Sequence, residues 1–474
     1  MINLSLTLVG MLISLEIYSS TALAASAGWL AFGDIRGNFE PCGCDPITDL
    51  GGVQRLQAHL AREKAANPDV NIFNLGNAFS AVTSEQAQQK DIAIRAGMNA
   101  VAADVTLLNR TELTASDKLL SGQVYVLSNH KPNVSRKVEF KVMVETRNFL
   151  VFGFVEPFKG YPHLLPFDAK KWRQIKNKEP KFSTLKSVLL YSGSLNTLKK
   201  IASAKIFDSI ISSNDSDLDK ASAGDERKEP SRLIRLRQGD VEVLQTPAGG
   251  QGVIRSAEME GLPPILPLAL ALSATDSAKQ AHCNLNPLNS TKSELCNGAE
   301  NLTRHFVYWL TKAEDDGMSK DMQQVVANFR DASSHKMEFL ISQREGNLKD
   351  SKYVGVSACA SCHSKAVEIW KTTKHAAAYQ TLLDRKRTSD PECVSCHVVG
   401  FSEKGGFVSQ EKSPHLTDVQ CEVCHGARKD HIANPSVKPL AATEHPAKQA
   451  CIGCHTPPHS PNFDAKKYWE MIKH

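Results

Sequence analysis

The chain has 474 residues, enough for two or three domains of ordinary size. Hydrophobic residues make up 41% of it and charged residues 23%, a balance that excludes a multi-span membrane protein and an extended disordered chain. The formal net charge of +5 is small for this length, so the charge gives no reason to expect nucleic acid as a partner. Of the 12 cysteines, eight fall within residues 359–454, and their spacing indicates the class of protein.

The N-terminal residues have the pattern of an export signal. Residues 4–15 are mostly apolar, and Ala22 and Ala24 are small residues at the positions that a signal peptidase reads. We therefore expect a signal peptide over residues 1–24 and a periplasmic or otherwise exported mature protein. No lysine or arginine precedes the apolar run and Glu16 interrupts it, which keeps an ordinary buried strand or helix as the alternative.

From Trp29 to about Glu258 the sequence alternates between β-rich runs and amphipathic helical stretches. This alternation is typical of an α/β domain, which we place at residues 25–270. The runs that predict strands are residues 29–37, 70–77, 105–109, 124–128, a hairpin over 137–155, 187–192, 205–213 and a final pair within 233–255. Helices are predicted at residues 51–67 and 84–103, and a polar loop at residues 213–232.

The remaining sequence divides into a connector and a second domain. Residues 299–345 are poor in glycine and proline and have helical periodicity, which predicts helices in a connector over residues 271–350. After Tyr353 the composition changes to Cys, His and Lys with few long apolar runs. We therefore expect a separate, mainly α or irregular domain over residues 351–474.

This last domain contains the motif C-x-x-C-H four times: CASCH (359–363), CVSCH (393–397), CEVCH (421–425) and CIGCH (451–455). The motif is the attachment signature of haem c, because two thiols with two residues between them reach the two vinyl groups of one porphyrin. Paired cysteines also bind zinc or form redox disulfides, but neither chemistry requires a histidine after every pair. The predicted covalent attachment sites are Cys359, Cys362, Cys393, Cys396, Cys421, Cys424, Cys451 and Cys454.

Each motif also supplies one axial ligand to its iron. The predicted proximal ligands are His363, His397, His425 and His455. The stretch from Cys359 onward is too short to build four protein cores, so four haem c groups are expected to fill its interior. Distal ligands are expected from among His375, His415, His431, His445, His459 and His474.

The C-terminal domain resembles the tetrahaem cytochrome c-554 family. The similar segments are residues 353–382, with Trp370, Thr373 and His375 in a W-x-x-T-x-H element, and residues 392–401 and 415–426. The resemblance implies electron transfer between redox protein partners.

It also implies a set of distal ligands. By the resemblance, His431 serves the first haem and His375 the third, while the family's second haem is five-coordinate. The founding member has Met where this chain has His415, so His415 is a candidate for closing the second iron. For the fourth haem, His474 ranks ahead of His459.

The N-terminal domain resembles calcineurin-like metallophosphoesterases of the five-prime-nucleotidase branch. The similar segments are FGDIRGNFEPCGCD (32–45), LGNAF (75–79) and VTLLNRTEL (105–113). The resemblance implies an α/β/β/α sandwich with metal ligands on loops at strand ends.

The family's metal ligands are largely replaced in this chain. Asp34 and Asn109 are kept, but Arg36, Asn77 and Arg110 stand where His, Asp and His are expected. Arginine stays protonated and cannot ligate a metal. We therefore expect no dinuclear metal and no phosphoesterase activity, with Arg36 and Arg110 pairing with Asp34 in place of the cations.

Four cysteines remain outside the haem motifs. Cys283 and Cys296, flanked by loop residues, are predicted to form a disulfide. The pair Cys42 and Cys44 has no role that the sequence defines.

Two functions follow from these motifs. The first is an exported electron carrier whose degenerate phosphoesterase-like domain binds a partner. The second is a reductase of a small nitrogen or sulfur oxyanion at an open haem.

Residues 262–272 are the other apolar run, but they contain three prolines, so peripheral or no membrane association is expected. The oligomeric state stays open.

Overall fold

A computed structural model describes residues 28–41, 49, 51–80, 85–132, 138–177, 184–213, 236–238, 241–247, 250–256, 305–310, 312–436, 451–455, 460 and 463–474. Several sequence-based predictions lie outside these residues: the signal peptide, Cys42, Cys44, the disulfide of Cys283 and Cys296, His445 and His459.

The first sheet has six strands in the order β12–β11–β1–β2–β3–β4. Strands β1 to β4 are parallel neighbours, whereas β11 and β12 add to the β1 edge in antiparallel fashion. Its strands are β1 (Trp29–Phe32), β2 (Asn71–Asn74), β3 (Val105–Leu107), β4 (Tyr125–Val126), β11 (Gly252–Ser256) and β12 (His305–Trp309). The crossover helices are α1 (Val53–Ala66) and α2 (Glu85–Val101), as the sequence predicts within a few residues.

The second sheet also has six strands, in the order β5–β6–β7–β8–β10–β9. Its strands are β5 (Met143–Glu145), β6 (Phe149–Val155), β7 (Lys186–Ser192), β8 (Ser209–Ser212), β9 (Leu236–Gln238) and β10 (Val241–Gln245). The predicted hairpin within 137–155 is confirmed as the antiparallel pair β5–β6. Three helices of this region were not predicted: α3 (Arg110–Thr114), α4 (Ala169–Lys176) and α5 (Leu195–Ser203).

The two sheets form the expected α/β/β/α sandwich. Residues such as Phe73 of the first sheet and Val151 of the second belong to one buried cluster between the sheets. On its outer face the second sheet packs Phe152 against Trp172 of α4 in a separate cluster. Alternate residues of one strand therefore face two different cores, as the pleat of a strand requires.

One predicted helix is a strand. The sequence analysis placed His305–Trp309 in the helical connector, but these residues form β12 and pair antiparallel with β11, with Gly252 opposite Trp309. The segment HFVYW is aromatic and β-branched, which favours a pleated surface. Its partner strand β11 lies some 50 residues earlier, so the local sequence does not reveal the pairing. The helical periodicity of the residues that follow was therefore extended wrongly over this segment.

A single long helix joins the two halves of the molecule. Helix α6 (Lys320–Arg344) begins at Ser319, whose side chain accepts a hydrogen bond from the Met322 backbone N–H at 3.2 Å. Its first half contributes Met322 and Phe329 to the sheet core, and its second half contributes Met337 to the C-terminal core. One rigid element thus belongs to both cores.

The C-terminal region is helical and irregular, as predicted. Its helices are α7 (Val356–Cys359), α8 (Ser364–Lys371), α9 (Ala378–Arg385), α10 (Pro391–His397), α11 (Cys421–His425), α12 (Lys429–Ala433) and α13 (Ala465–Ile472). A small apolar cluster includes Tyr379, Val394 and Phe407. In the part of the chain that the structure describes, no helix is both long and apolar enough to cross a membrane.

Candidate functional site

The attachment motifs lie on short helical turns. Helices α10 and α11 each end on the histidine of their motif. In the other two motifs the histidine N–H donates to the first cysteine's carbonyl: His363 to Cys359 at 2.9 Å and His455 to Cys451 at 2.8 Å. A helical turn brings residues three apart to one face, so the two thiols of each motif point the same way.

Three of the motif histidines face a second histidine. The ring centroids of His363 and His431 are 6.3 Å apart, and those of His375 and His455 are 6.1 Å apart. The rings of His425 and His474 are separated by 5.8 Å. When two imidazole nitrogens each lie about 2 Å from one metal ion, the ring centroids are roughly 6 Å apart. These spacings therefore fit one iron between each pair.

The pairing differs in part from the one expected by resemblance. His431 faces the first motif's histidine, as expected. His375 faces the fourth motif rather than the third, and His474 faces the third rather than the fourth. These partners are set by tertiary packing over more than 40 residues of sequence, which the motif spacing does not define.

Burial shifts three of the paired imidazoles, those of His375, His425 and His455, toward the neutral form that binds metals. Burial, followed by the neighbouring rings of His455 and His397, lowers the pKa of His375. Burial, followed by His474, lowers the pKa of His425. Neutral imidazole has the free lone pair that an iron ligand needs.

The second motif has a different environment. His397 Nδ1 lies 2.5 Å from the Ala378 carbonyl oxygen, an anchor that leaves its other nitrogen for an iron. Among the residues that the structure describes, no histidine ring is in contact with that of His397, although His375 lies within electrostatic reach of it. His415 is exposed in a 3₁₀ segment (Pro414–Leu416), where its carbonyl accepts from Gln420 Nε2 at 2.9 Å.

The motifs are neighbours in space in a defined order. Burial, followed by the nearby Cys421 thiol, raises the pKa of Cys359 to about 11. The nearby Cys454 thiol of the fourth motif lowers the pKa of Cys396 of the second. Cys424 of the third motif lies within electrostatic reach of the fourth. The attachment sites therefore follow one another in the order first, third, fourth, second.

The candidate site of the N-terminal region is centred on Asp34, which is completely buried. Asp34 Oδ1 accepts from Asn77 Nδ2 at 3.1 Å and from Arg36 Nη2 at 3.4 Å. Asp34 Oδ2 accepts from the Thr246 hydroxyl at 3.1 Å. The predicted pairing of Arg36 with Asp34 is thus present. Thr246 was not predicted, because it comes from the end of β10 on the other sheet.

Asn109 and Arg110 begin the short helix α3. The buried Asn109 side chain accepts from the Arg110 N–H at 2.7 Å and donates to the Leu75 carbonyl at 2.7 Å. The guanidinium of Arg110 lies over the Phe158 ring, 5.3 Å from its centroid. Asn109 therefore acts as a helix cap that ties α3 to the end of β2.

Glu112 is a further site residue that the sequence analysis missed. Its two carboxylate oxygens accept from the backbone N–H groups of Asn77 and Ala78, both at 2.9 Å. Burial raises the pKa of Glu112, while these backbone donors act in the opposite sense. The signal was available, since an acid three residues after a capping Asn is the pattern of a helix start.

The residues described include no group of three or more His, Cys, Asp or Glu side chains arranged around a common metal position. The carboxylate of Asp34 is instead surrounded by an amide, a guanidinium and a hydroxyl.

Comparison with known proteins identifies relatives of the C-terminal region. Residues 358–426 match the family model described as cytochrome c554 and c-prime. Cytochrome c-554 of Nitrosomonas europaea is 30% identical over an alignment of 183 residues, which covers 28% of this chain and 78% of that protein.

Two solved structures illustrate the similarity over the rest of the chain. A 5'-nucleotidase precursor from Thermus thermophilus is 13% identical with a TM-score of 0.44, over 65% of this chain. The chain spans only 58% of that nucleotidase. The calcineurin-like phosphoesterase YfkN from Bacillus subtilis is 14% identical with a TM-score of 0.39, over 64% of this chain and 97% of that one.

The attachment motifs and the family match together define the C-terminal region as a c-type cytochrome. The chain belongs to the cytochrome c-554 family. Its cofactor is accordingly haem c, and its class of activity is electron transfer.

Proposed function

We propose that the protein is an exported carrier that moves electrons between redox partners through four covalently bound haem c groups. The observation that carries the proposal is the set of three histidine pairs at 5.8–6.3 Å, each containing one motif histidine. Haem bound in such a pair supplies an iron that exchanges one electron with little change in its ligands.

The chain's residues provide a path for the electrons. Cys359 and Cys421 bring the first and third sites together, and Cys396 and Cys454 do the same for the second and fourth. The third and fourth sites are linked through Cys424. An electron therefore enters at one end of a row and leaves at the other, and the second site is a terminus of that row.

The N-terminal domain is proposed to have no phosphoesterase activity and to serve in partner binding. The oxygens of Asp34 accept hydrogen bonds from Asn77 Nδ2, Arg36 Nη2 and the Thr246 hydroxyl, so donor groups lie where the carboxylate of a phosphoesterase would hold a cation. Phosphodiester and nucleotide hydrolysis should therefore stay at the background rate with added Mn²⁺, Mg²⁺ or Zn²⁺. Metal-dependent turnover would refute this part of the proposal.

A second candidate function is favoured by one observation. In the described residues no histidine ring is in contact with His397, and His375, which lies within electrostatic reach of it, is in ring contact with His455. The second site is therefore the one expected to be five-coordinate. An open iron binds and reduces small nitrogen or sulfur oxyanions, which makes a reductase the alternative.

The haem count, the spin states and gas binding of the mature protein separate these functions. We expect four haems by mass, low-spin signals for the first, third and fourth sites, and no turnover of nitrite, hydroxylamine or sulfite. A high-spin haem that binds carbon monoxide and turns over one of these substrates would establish the reductase. Fewer than four haems would contradict the tetrahaem assignment.

A further inference from the structure

Two buried carboxylates of the N-terminal region are paired with arginines of the cytochrome region. Glu40, only 3% exposed, forms an ion pair with Arg387. Asp49, 5% exposed, lies 2.6 Å from Arg385 Nη1 through its Oδ2 atom. Arg385 is the last residue of α9, and Arg387 lies between α9 and α10. Both arginines therefore come shortly before the second attachment motif. The two regions are thus docked at the second haem site.

A third ion pair reaches the attachment helix itself. Lys90 of α2 pairs with Glu392, the residue directly before Cys393 on α10. Burial would lower the pKa of Lys90, but the carboxylates of Glu392 and Asp390 outweigh it and raise the pKa. Lys90 therefore keeps its positive charge at neutral pH.

The charge of Lys90 acts at the attachment cysteine. Burial and then Asp390 raise the pKa of the Cys393 thiol, whereas Arg387 and Lys90 act in the opposite sense. The side chain of Lys90 is 21% exposed, so water screens its charge only in part. Of these two cations, Arg387 belongs to the cytochrome region and Lys90 is contributed by the N-terminal region.

Helix α6 fixes this arrangement. Phe329 on its first half packs edge-on against Phe39, with ring centroids 4.9 Å apart. Met337, two turns further on, packs in the cluster that also contains Val394 of the second attachment helix. Because one helix belongs to both cores, Lys90 is held at a set position relative to α10.

We propose that Lys90 is a positioning residue by which the N-terminal domain raises the reduction potential of the haem attached at Cys393 and Cys396. The inference rests on the proposed function in one respect, that the second motif carries haem c. A nearby positive charge stabilises the reduced iron, whose net charge is one unit lower, relative to the oxidised iron. The N-terminal domain thereby makes the terminal site of the row a better electron acceptor.

The test is a redox titration of the full-length holoprotein, in which the signal of the second haem is followed by EPR. Lys90→Met is expected to shift this potential to a more negative value. Glu392→Gln, which removes the opposing charge, is expected to shift it to a more positive value, and Lys90→Arg is expected to leave it near the wild-type value.

The control is Lys64→Met. Lys64 of α1 pairs with Asp104 at 3.8 Å, within the N-terminal region, and its loss should leave every haem potential unchanged. Equal shifts in the same direction for Lys90→Met and Glu392→Gln would mean that the pair only holds the regions together, and would overturn the proposal. No shift in Lys90→Met would overturn it as well.

The two proposals fail in distinguishable ways. A mass that shows no haem at the second motif contradicts the proposed function before any potential is measured. If Lys90→Met does not fold, Lys90→Gln is titrated in its place, with the same expected negative shift, and the absence of a shift would again overturn the proposal.

Discussion

Three non-glycine residues adopt left-handed backbone conformations where β1 and β2 end. The φ angles are 56° at Asp34, 50° at Arg36 and 53° at Asn77. Asp and Asn tolerate this region, but for an arginine it costs about 1 kcal/mol or more. Backbone hydrogen bonds hold the loop: Asp34 N–H donates to Gly76 and Arg36 N–H donates to Asn77, at 2.9 and 2.8 Å. These hydrogen bonds hold the strained turn in place around the buried carboxylate of Asp34.

At the same scale, the histidine pairs give a direct prediction. In His431→Ala the first iron should lose its sixth ligand, so a high-spin signal that binds carbon monoxide should appear. The matched control is His335→Ala, an exposed histidine on α6 that pairs with Asp331 at 3.9 Å and should leave the spectrum unchanged. An unchanged spectrum in His431→Ala would reject His431 as a ligand. The measurement is EPR and optical spectroscopy of the holoprotein.

The ionisation of Asp49 predicts a pH dependence of stability. Burial alone would raise its pKa, but Arg385 and Arg55 outweigh it and hold the pKa below the ordinary 3.8. A carboxyl with a lowered folded-state pKa stabilises the fold at higher pH, and this contribution is lost as the pH falls through the lowered pKa. Asp49→Asn should therefore be less stable than wild type at neutral pH, by about 1–3 kcal/mol.

The two proteins should converge in stability as the pH falls below the lowered pKa of Asp49. Thermal unfolding over this pH range is the measurement. Asp350→Asn, a change at an exposed acid, should follow the wild-type curve throughout. A constant difference between wild type and Asp49→Asn at all pH values would contradict the assignment.

At the scale of elements, helix α6 is the piece that couples the two cores. A 25-residue helix is about 37 Å long, enough to pass from the sheets to the cytochrome region without a break. Its buried residues Met322, Val326 and Phe329 lie toward the sheets, and Met337 lies toward the haem motifs.

Two phenylalanines of α6 make a matched pair of tests. Phe329, 5% exposed, packs against Phe39, so Phe329→Ala should reduce the free energy of unfolding by about 3 kcal/mol. Phe339, 56% exposed on the same helix, should cost about 0.5 kcal/mol or less when replaced by alanine. Chemical denaturation measures both, and equal losses would show that α6 does not bury Phe329 as described.

The elements also show what the sequence can predict. The C-x-x-C-H motifs are local, because one helical turn supplies both thiols and the ligand, so they were identified from the sequence alone. The prediction of a helix where β12 lies was wrong, because the pairing of β12 with β11 is not encoded within its own five residues. For the same reason the sequence did not predict that the ring of His375 lies beside that of His455 and the ring of His474 beside that of His425, and Thr246 was missed: each depends on contacts between distant segments.

At the scale of the whole molecule, the interdomain ion pairs should make the two regions unfold together. Among the described residues, Arg387→Met leaves the buried Glu40 paired with Arg330, whose Nη2 lies 2.9 Å away. Breaking a buried pair costs about 3 kcal/mol, and this loss should separate the two transitions. The measurement is thermal unfolding followed by haem absorbance and by far-ultraviolet circular dichroism.

The control for this prediction is Arg147→Met. Arg147 pairs with Asp69 on the surface, where the side chains are 67% and 57% exposed, so its loss should leave the transitions coincident. Coincident transitions in Arg387→Met would mean that other contacts, chiefly those of α6, are sufficient to couple the regions.

The long sequence separation of these ion pairs has a consequence for the order of assembly. Glu40 and Arg387 are 347 residues apart, and Lys90 and Glu392 are 302 apart. Contacts this distant form late, because the chain between them must first be ordered. The partner groups also lie on and beside α10, which ends on the histidine of the second attachment motif, so we expect its final packing to follow cofactor insertion. Docking is therefore expected as the last step of biogenesis, and a chain that failed to acquire its second haem would leave Glu40 and Asp49 uncovered.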